Sequence, residues 1–218
     1  MSYSLHKMKI IDFKNLIKAM PVDFQSFDIN CKSWEDTAQN QIIDKIFKAT
    51  SDNVLNVSRS DLFHTECNLN EFVIKVLMWG YPTKGRGINI ETFLQPENFL
   101  PFIEKLNEAV KKRNITISEV YELLNTKGLG FSTLSKILYF KRITIESKHT
   151  LILDRRVINA LASSRFADQD IEIFKNLKYG NAIKHYIEYL EFMETLASKM
   201  NTNADNIEMF LFMFGKNL

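Results

Sequence analysis

Apolar residues recur at the spacing of an α-helix along most of the chain, and this pattern restricts the fold more than any other feature. Glycine and proline, which interrupt helices, number only 7 and 4 among 218 residues. The pattern therefore predicts an all-α protein of about eight or nine helices joined by short turns. The stretches with helical spacing are residues 42–47, 72–77, 102–110, 120–124, 134–140, 157–161, 183–190 and 207–214.

Three short runs are rich in β-branched residues and depart from the helical pattern. They read ITI at 115–117, ITI at 143–145 and TLIL at 150–153. We expect extended connectors at these places, because none of the runs is long enough to build a sheet.

The chain length leaves two arrangements open, one substantial core or two small lobes, and neither needs disulfides or metals for stability. We expect one compact unit over 1–218, in the form of a two-lobed helical bundle. In this arrangement about 66–150 form a central helical lobe, and 1–65 together with 151–218 form the second lobe.

The net charge of +2, from 28 basic and 26 acidic residues, is far from that of a protein that coats nucleic acid by charge alone. Basic residues are nevertheless concentrated in the middle of the chain. Ten Lys or Arg residues lie between Lys111 and Arg156, with Lys105 just upstream, against four acidic residues in 111–156. This segment can contact phosphates, and solvated helix faces are the alternative explanation.

The two cysteines, Cys31 and Cys67, lie far apart and form no C-x-x-C pair. We therefore expect no metal, no cofactor and a reducing, cytoplasmic environment. The first residues contain no apolar signal segment, and no stretch approaches the roughly 20 apolar residues of a membrane span. Neither secretion nor membrane insertion is expected.

Two predicted helices, at about 117–125 and 131–141, meet at a tight KGLG turn over 127–130, in a helix-hairpin-helix layout. Glycines allow positive φ and leave amide groups unobstructed at the start of the second helix, where the helix dipole favours a phosphate. An ordinary glycine helix C-cap is the alternative explanation. The candidate DNA contacts are Lys127, Gly128, Gly130, Ser132, Thr133 and Lys136.

Asp154 ends an apolar run and immediately precedes the helix predicted at 157–161. Aspartate is a favoured helix N-cap, and capping alone could account for it. A carboxylate fixed at a helix start can also stabilise a positive charge that develops in a reaction. Both roles remain open at this stage.

The segment GLGFST at 128–133, followed by ILDRRV at 152–157, resembles the helix-hairpin-helix DNA glycosylase superfamily. The hairpin is most similar to that of adenine-excising mismatch glycosylases, and the size of the chain is similar to that of bacterial 8-oxoguanine DNA glycosylase-fold proteins. Members share a G-h-G hairpin, an apolar run and an aspartate at a helix start, so the resemblance implies that Asp154 is catalytic. The chain departs from the pattern at Thr126-Lys127, at Leu134 and by about four extra residues before Asp154.

In bifunctional members of this superfamily a lysine in the second hairpin helix attacks the sugar and opens the strand. The matching position here is Ser132, which implies a monofunctional enzyme that uses water and leaves an abasic site. Lys136 lies one turn further on the same face and is a less favoured candidate nucleophile. Glu71, at the start of a predicted helix, is a less favoured second acid.

A glycosylase must extrude its target base into a pocket of aromatic and apolar groups. Trp79 and Tyr81 flank a glycine at the end of a predicted helix and are the candidate pocket residues, with a place in the core as the alternative for Trp79. A basic TKGRG loop follows at 83–87. Phe131 could equally stack on DNA or fill the core.

Three functions are compared on these observations. The first is a monomeric DNA glycosylase acting on double-stranded DNA with a damaged or modified base, in base-excision repair or in defence against modified phage DNA. The second is a non-catalytic helix-hairpin-helix DNA-binding module, which would not need Asp154. The third, a purely structural helical domain, is disfavoured by the clustered basic residues. The residues leave the excised base open.

Overall fold

The computed structural model describes residues 8–48, 50, 52–85, 88–163 and 165–218. Contacts divide the chain into two compact units. Asp23–Thr150 form one, which we name the central unit, and the described part of Met1–Val22 forms the other with Leu151–Leu218, which we name the terminal unit. Residues 23–65 thus lie with the segment that follows them, whereas the sequence interpretation grouped them with the chain ends.

The described residues are mostly helical, as the apolar spacing predicts. The α-helices are α1 (Lys14–Lys18), α2 (Asn40–Phe47), α3 (Arg59–Phe63), α4 (Leu69–Gly80), α5 (Asn89–Leu94), α6 (Pro96–Lys112), α7 (Ile117–Leu124), α8 (Phe131–Phe140), α9 (Arg155–Ala162), α10 (Tyr186–Met200) and α11 (Ala204–Phe214). The strands are β1 (Ser26–Asn30), β2 (Val54–Ser58), β3 (Asn114–Ile115), β4 (Thr144–Ile145) and β5 (Lys148–His149).

Two small sheets accompany the helices, and the expectation that the ITI runs are only connectors was wrong. β3 pairs parallel to β4, and β4 pairs antiparallel to β5. Strands this short persist because the flanking helices bring them together, which local sequence does not reveal. β1 and β2 form a second, antiparallel sheet that the sequence interpretation missed. Residues 150–153 form no strand, as expected for a connector.

The core of the central unit is built around α4 and α8, which pack against each other. α4 begins at an asparagine N-cap, where Asn68 Oδ1 accepts a hydrogen bond from the amide of Glu71 at 3.0 Å. α2 and β1 also pack on α4, which explains why residues 23–65 belong to this unit. All ten residues of α8 are buried, as expected of a helix at the centre of its packing.

The terminal unit packs α9, α10 and α1 against α11. Gly215 follows α11 and lies so close to α9 that a Cβ atom there would be 2.4 Å from Cβ of Ala160. Asp168 connects the first described residues to the rest of this unit, because its carboxylate accepts hydrogen bonds from the amides of Ile10 at 2.6 Å and Ile11 at 3.5 Å. The amides of the helical turn that begins at Ile10 are therefore capped by Asp168, a residue that is distant in sequence.

Candidate functional site

The turn between α7 and α8 is shaped by Gly128, which has a φ of +84°. A Cβ atom at this residue would lie 2.5 Å from the carbonyl oxygen of Asn89 and 2.6 Å from the amide nitrogen of Phe93. Glycine is therefore required both by the backbone conformation and by the close packing of the turn on α5. Lys127 is exposed beside it, whereas Leu129 is buried.

Gly130 is the N-cap of α8 and has an extended backbone, with φ −94° and ψ 155°. The first turn of α8 therefore begins without a side-chain cap. The carbonyl of Gly130 accepts hydrogen bonds from the amides of Thr133 at 3.0 Å and Leu134 at 3.1 Å. A helix start without a side-chain cap can bind an anion through its amides.

Ser132, Thr133 and Lys136 form a buried polar cluster with Tyr81 on this part of α8. The Lys136 amine donates to Ser132 Oγ at 2.9 Å and to the Ser132 carbonyl oxygen at 3.2 Å. The Tyr81 hydroxyl and Thr133 Oγ1 are hydrogen-bonded at 3.0 Å. Lys136 Nζ also lies 5.9 Å from the centre of the Tyr81 ring. The structure thus brings the pocket candidate Tyr81 together with three of the candidate DNA contacts.

Gly80 leaves room for the side chain of Lys136, because a Cβ atom at Gly80 would lie 3.1 Å from Lys136 Cδ. Lys136 is 5% exposed, so in this conformation the amine faces the interior and not solvent. Ser132 and Thr133 are similarly buried, and so is Phe131. The predicted phosphate contacts of these hydroxyls and of Lys136 stay predictions.

Trp79 and Tyr81, the two candidate pocket residues, have different environments. Trp79 is 3% exposed, and its indole N–H donates to the carbonyl oxygen of Gln25 at 3.3 Å. Its ring is in edge contact with Phe27 and Phe140. Tyr81 is half-buried at the end of α4. In the TKGRG loop that follows, Arg86 and Gly87 lie outside the described residues.

Glu71 is buried in the first turn of α4 and forms ion pairs with Lys45 at 3.0 Å and Lys75 at 2.9 Å. Burial by itself would raise the pKa of the Glu71 carboxyl, but the hydrogen bonds from Lys75 and Lys45 outweigh it and lower the pKa below its usual value. These contacts describe an ionised carboxylate that links α2 to α4. A role as a second acid stays a prediction.

Asp154 is the N-cap of α9 and belongs to the terminal unit. Its Oδ1 atom accepts hydrogen bonds from the amides of Arg156 at 2.8 Å and Val157 at 3.1 Å. Within the described part of the chain, Oδ2 accepts no hydrogen bond. The side chain is half-buried, so the cap engages one oxygen of the carboxylate and leaves the other available.

Two tyrosines that the sequence interpretation did not select hold the chain leading to Asp154. The Tyr186 hydroxyl donates to the carbonyl oxygen of Leu151 at 2.6 Å, and the Tyr189 hydroxyl donates to that of Ile152 at 2.9 Å. Burial raises the pKa of both hydroxyls, so they stay protonated donors. The sequence feature that could have identified them is the spacing of three residues between two tyrosines on one apolar helix face.

The candidate residues therefore divide between the units: the turn, the α8 cluster, Trp79 and Glu71 lie in the central unit, and Asp154 lies in the terminal unit. Among the residues that the structure describes, no three His, Cys, Asp or Glu side chains are grouped so that they could hold a metal ion. No helix in this described part is long and apolar enough to cross a membrane.

Comparison with known proteins identifies a family to which this chain is similar. Residues 20–212 match the family described as "Putative 8-oxoguanine DNA glycosylase OGG-like protein". Neither the curated proteins nor the solved structures gave a match. Since the family match spans most of the chain, this protein belongs to the OGG-like family that this description names.

Proposed function

We propose that the protein is a DNA glycosylase that hydrolyses the N-glycosidic bond of a damaged or modified base in double-stranded DNA. Membership of the OGG-like family supports this class of reaction. At the residue level, the observation that carries the proposal is the cap formed by Asp154. Its Oδ1 atom accepts both capping hydrogen bonds, and Oδ2 is left to face a substrate.

In the proposed reaction the bond between C1′ of the sugar and the base nitrogen breaks, and its electron pair leaves with the base. Positive charge then develops on the sugar, and the Asp154 carboxylate stabilises it. The same carboxylate orients the attacking water, whose oxygen bonds to C1′ and whose released proton balances the negative charge of the departing base. The products are the free base and an abasic site.

Ser132 supports a monofunctional reaction. It stands where bifunctional relatives of the hairpin pattern carry the lysine that attacks the sugar, and a hydroxyl cannot form the imine on which strand cleavage depends. We therefore expect water as the nucleophile and an uncut strand as the product.

We propose that α7, the 125–130 turn and α8 act as a helix-hairpin-helix. Lys127 is exposed at this turn, and the start of α8 has no side-chain cap. Both features suit a phosphate of the DNA backbone. Half-buried Tyr81 is the candidate wall of the base pocket, and buried Trp79 would support that wall from the core.

The family description makes 8-oxoguanine the first base to test. Adenine opposite 8-oxoguanine, alkylated bases and hypermodified phage cytosines are the other candidates, and they separate a role in repair from one in phage defence. We propose that the protein acts as a monomer on DNA in the cytoplasm, without a metal or cofactor.

The test is a screen of purified protein on duplexes that each carry one of these bases. Hot alkali converts abasic sites into breaks, so excision appears as cleavage after alkali and as intact strand before it. Cleavage without alkali would contradict the monofunctional assignment. Binding of DNA without excision of any base would favour a non-catalytic binding module. Absence of DNA binding would favour a structural domain.

A further inference from the structure

We propose that Arg155 and Arg156 form a second phosphate-binding site, which holds the backbone of the target strand beside Asp154. The inference rests on the proposed function and goes beyond it, because the phosphate contacts proposed there all lie in the central unit. Both arginines are exposed and occupy the first two positions of α9, directly after Asp154. All three residues belong to the terminal unit.

The stability of α9 gives no reason for two arginines at its start. The helix dipole disfavours cations in the first turn of a helix. α9 contains no acidic residue, and within the described part of the chain no carboxylate forms an ion pair with either guanidinium. Uncharged residues would avoid the unfavourable interaction with the dipole. An anionic partner outside the protein therefore explains the two arginines better than the fold does.

Each guanidinium is held on an aromatic ring of a neighbouring element. Cζ of Arg155 lies 5.4 Å from the ring centre of Tyr179, the first residue of the 3₁₀ helix Tyr179–His185. Cζ of Arg156 lies 4.7 Å from the ring centre of Phe212 in α11. A guanidinium over a ring keeps the N–H groups in its own plane available to oxygen atoms. The rings thus reduce the conformational freedom that the arginines lose on binding.

Phosphate is the anion that this pair fits. The planar fork of N–H donors of an arginine matches two oxygens of one phosphate. The amides at the start of α9 contribute less, because Asp154 Oδ1 already accepts hydrogen bonds from those of Arg156 and Val157. Recognition therefore falls to the side chains. Exposed Lys178 precedes Tyr179 in the chain and adds positive charge near the Arg155 contact.

The charges of the pair also serve the proposed reaction. A carboxylate that faces the target sugar repels the phosphates on either side of that sugar. Two cations next to Asp154 in the chain offset this repulsion. The strand can then approach while Asp154 keeps the negative charge that the reaction requires.

The test measures DNA binding by the full-length protein across a series of salt concentrations. The probe is a duplex with a tetrahydrofuran in place of one nucleotide, which mimics the abasic product and cannot be hydrolysed. We expect Arg155→Gln and Arg156→Gln each to lower affinity by about fivefold or more and to reduce the salt slope by about one counterion. The double variant should reduce the slope by about two.

A second comparison tests whether the rings matter. Lysine keeps the charge but lacks the planar fork, so Arg155→Lys should keep the salt slope and still lower affinity. Tyr179→Leu should also lower affinity, by about twofold or more, and should cost nothing further in Arg155→Gln, because the ring acts through Arg155. Wild-type affinity in Arg155→Lys, or additive losses in the double variant, would overturn the role of the ring-held guanidinium.

Lys199→Gln is the control. This exposed lysine lies in the last turn of α10, about 15 Å along the helix axis from Tyr189, which contacts the segment before Asp154. Its salt slope should equal that of the wild type. The melting temperature of the two arginine variants should be unchanged or raised, since each loses a cation from a helix start.

The opposite results overturn the inference. Unchanged salt slopes in Arg155→Gln and Arg156→Gln would exclude the phosphate contacts, and an equal loss in Lys199→Gln would reduce them to a general effect of charge. A lower melting temperature would make the arginines structural. Lack of excision by the wild-type protein on every duplex would overturn the proposed function, whereas these binding measurements would still decide whether the phosphate site exists.

Discussion

At the scale of single residues, the same side chain can satisfy a structural and a chemical requirement. Asp154 caps α9 through Oδ1, which accepts from two backbone amides at 2.8 and 3.1 Å. Glu71 instead has its carboxylate engaged by two lysines and lies among the residues that hold α2 on α4. Substitutions that preserve shape and remove charge separate these roles.

Asparagine is also a good N-cap, so Asp154→Asn should keep α9 and the fold while it removes the charge proposed to face the sugar. We expect a near-native melting temperature and DNA affinity, with excision reduced by about 10²-fold or more. Single-turnover kinetics and thermal melting measure the two effects. Excision at the native rate in this variant would leave Asp154 with a capping role alone.

Glu71→Gln should destabilise the protein at neutral pH by about 1–3 kcal/mol, because two lysines lose their buried carboxylate partner. The pKa of Glu71 is lowered on folding, so its contribution is present above the unfolded value of 4.5 and is lost as pH falls through the folded pKa. The stability difference from wild type should therefore shrink with acidification. Urea unfolding at several pH values tests this.

The exposed Glu188 of α10 offers the control for that series. Glu188→Gln should change stability by less than about 0.5 kcal/mol at any pH in the range, as expected for surface substitutions. A Glu71→Gln difference that stays constant with pH would mean that the ion pairs contribute little.

At the scale of elements, helix ends decide where the candidate residues lie. α7 starts at a capping box in which Thr116 Oγ1 accepts from the amide of Glu119 at 3.3 Å and Glu119 accepts from the amide of Thr116 at 2.8 Å. α8 starts at Gly130 without such a cap. The uncapped start of α8 is consistent with the phosphate contact proposed for this turn.

Gly128→Ala should weaken the fold, because the new methyl group would lie against backbone atoms of α5 and because positive φ strains alanine. We expect a loss of about 1–3 kcal/mol or more, measured as a lower melting temperature. Gly180→Ala is the matched control, since a Cβ atom there would have no neighbour within 4 Å. Equal melting temperatures of the two variants would exclude the close packing of the turn on α5.

At the scale of the whole molecule, each unit closes over residues that are far apart in sequence. The terminal unit joins the beginning of the chain to its last third, and Asp168 contributes to that connection through the amides of Ile10 and Ile11. Burial raises the pKa of the Asp168 carboxyl, although the hydrogen bonds from Ile10 and Ile11 act in the opposite direction. The side-chain oxygen of Asp168, as a hydrogen-bond acceptor, therefore contributes more to stability than the negative charge of the carboxylate does.

This balance predicts different outcomes for two substitutions of Asp168. A raised pKa means that the contribution to stability is fully present below the unfolded value of 3.8 and is lost as pH rises through the folded pKa. At neutral pH Asp168→Asn, which keeps an acceptor without the charge, should be within about 0.5 kcal/mol of wild type or more stable. Asp168→Ala should lose about 1–3 kcal/mol, because two amides lose their acceptor.

Urea unfolding at pH 7 measures both variants, and Glu194→Ala on the exposed face of α10 serves as the control. Equal destabilisation by Asp168→Asn and Asp168→Ala would show that the charge itself holds the chain ends together.

Local sequence was sufficient for the longer helices, because helix formation depends on contacts three and four residues apart. The short helices α1, α3 and α5 were not among the predicted stretches, so the described residues contain eleven α-helices where eight or nine were expected. The spacing of Val120 and Leu123, and of Leu134, Ile137 and Leu138, predicted α7 and α8 within one or two residues of their ends. The N-cap position of Asp154 was predicted on the same local basis, since an aspartate before an amphipathic helix is recognisable in the sequence.

Tertiary structure alone decided the contacts between distant segments. The pairing of β3 with β4 joins strands about thirty residues apart and depends on the helices between them. The Lys136 side chain is buried, and its amine donates to Ser132 Oγ instead of facing solvent. The hydrogen bond between the Tyr81 hydroxyl and Thr133 Oγ1 joins the end of α4 to α8. Sequence spacing reports which residues share a helix face, but packing determines what that face meets, because burial and hydrogen bonding depend on the whole chain.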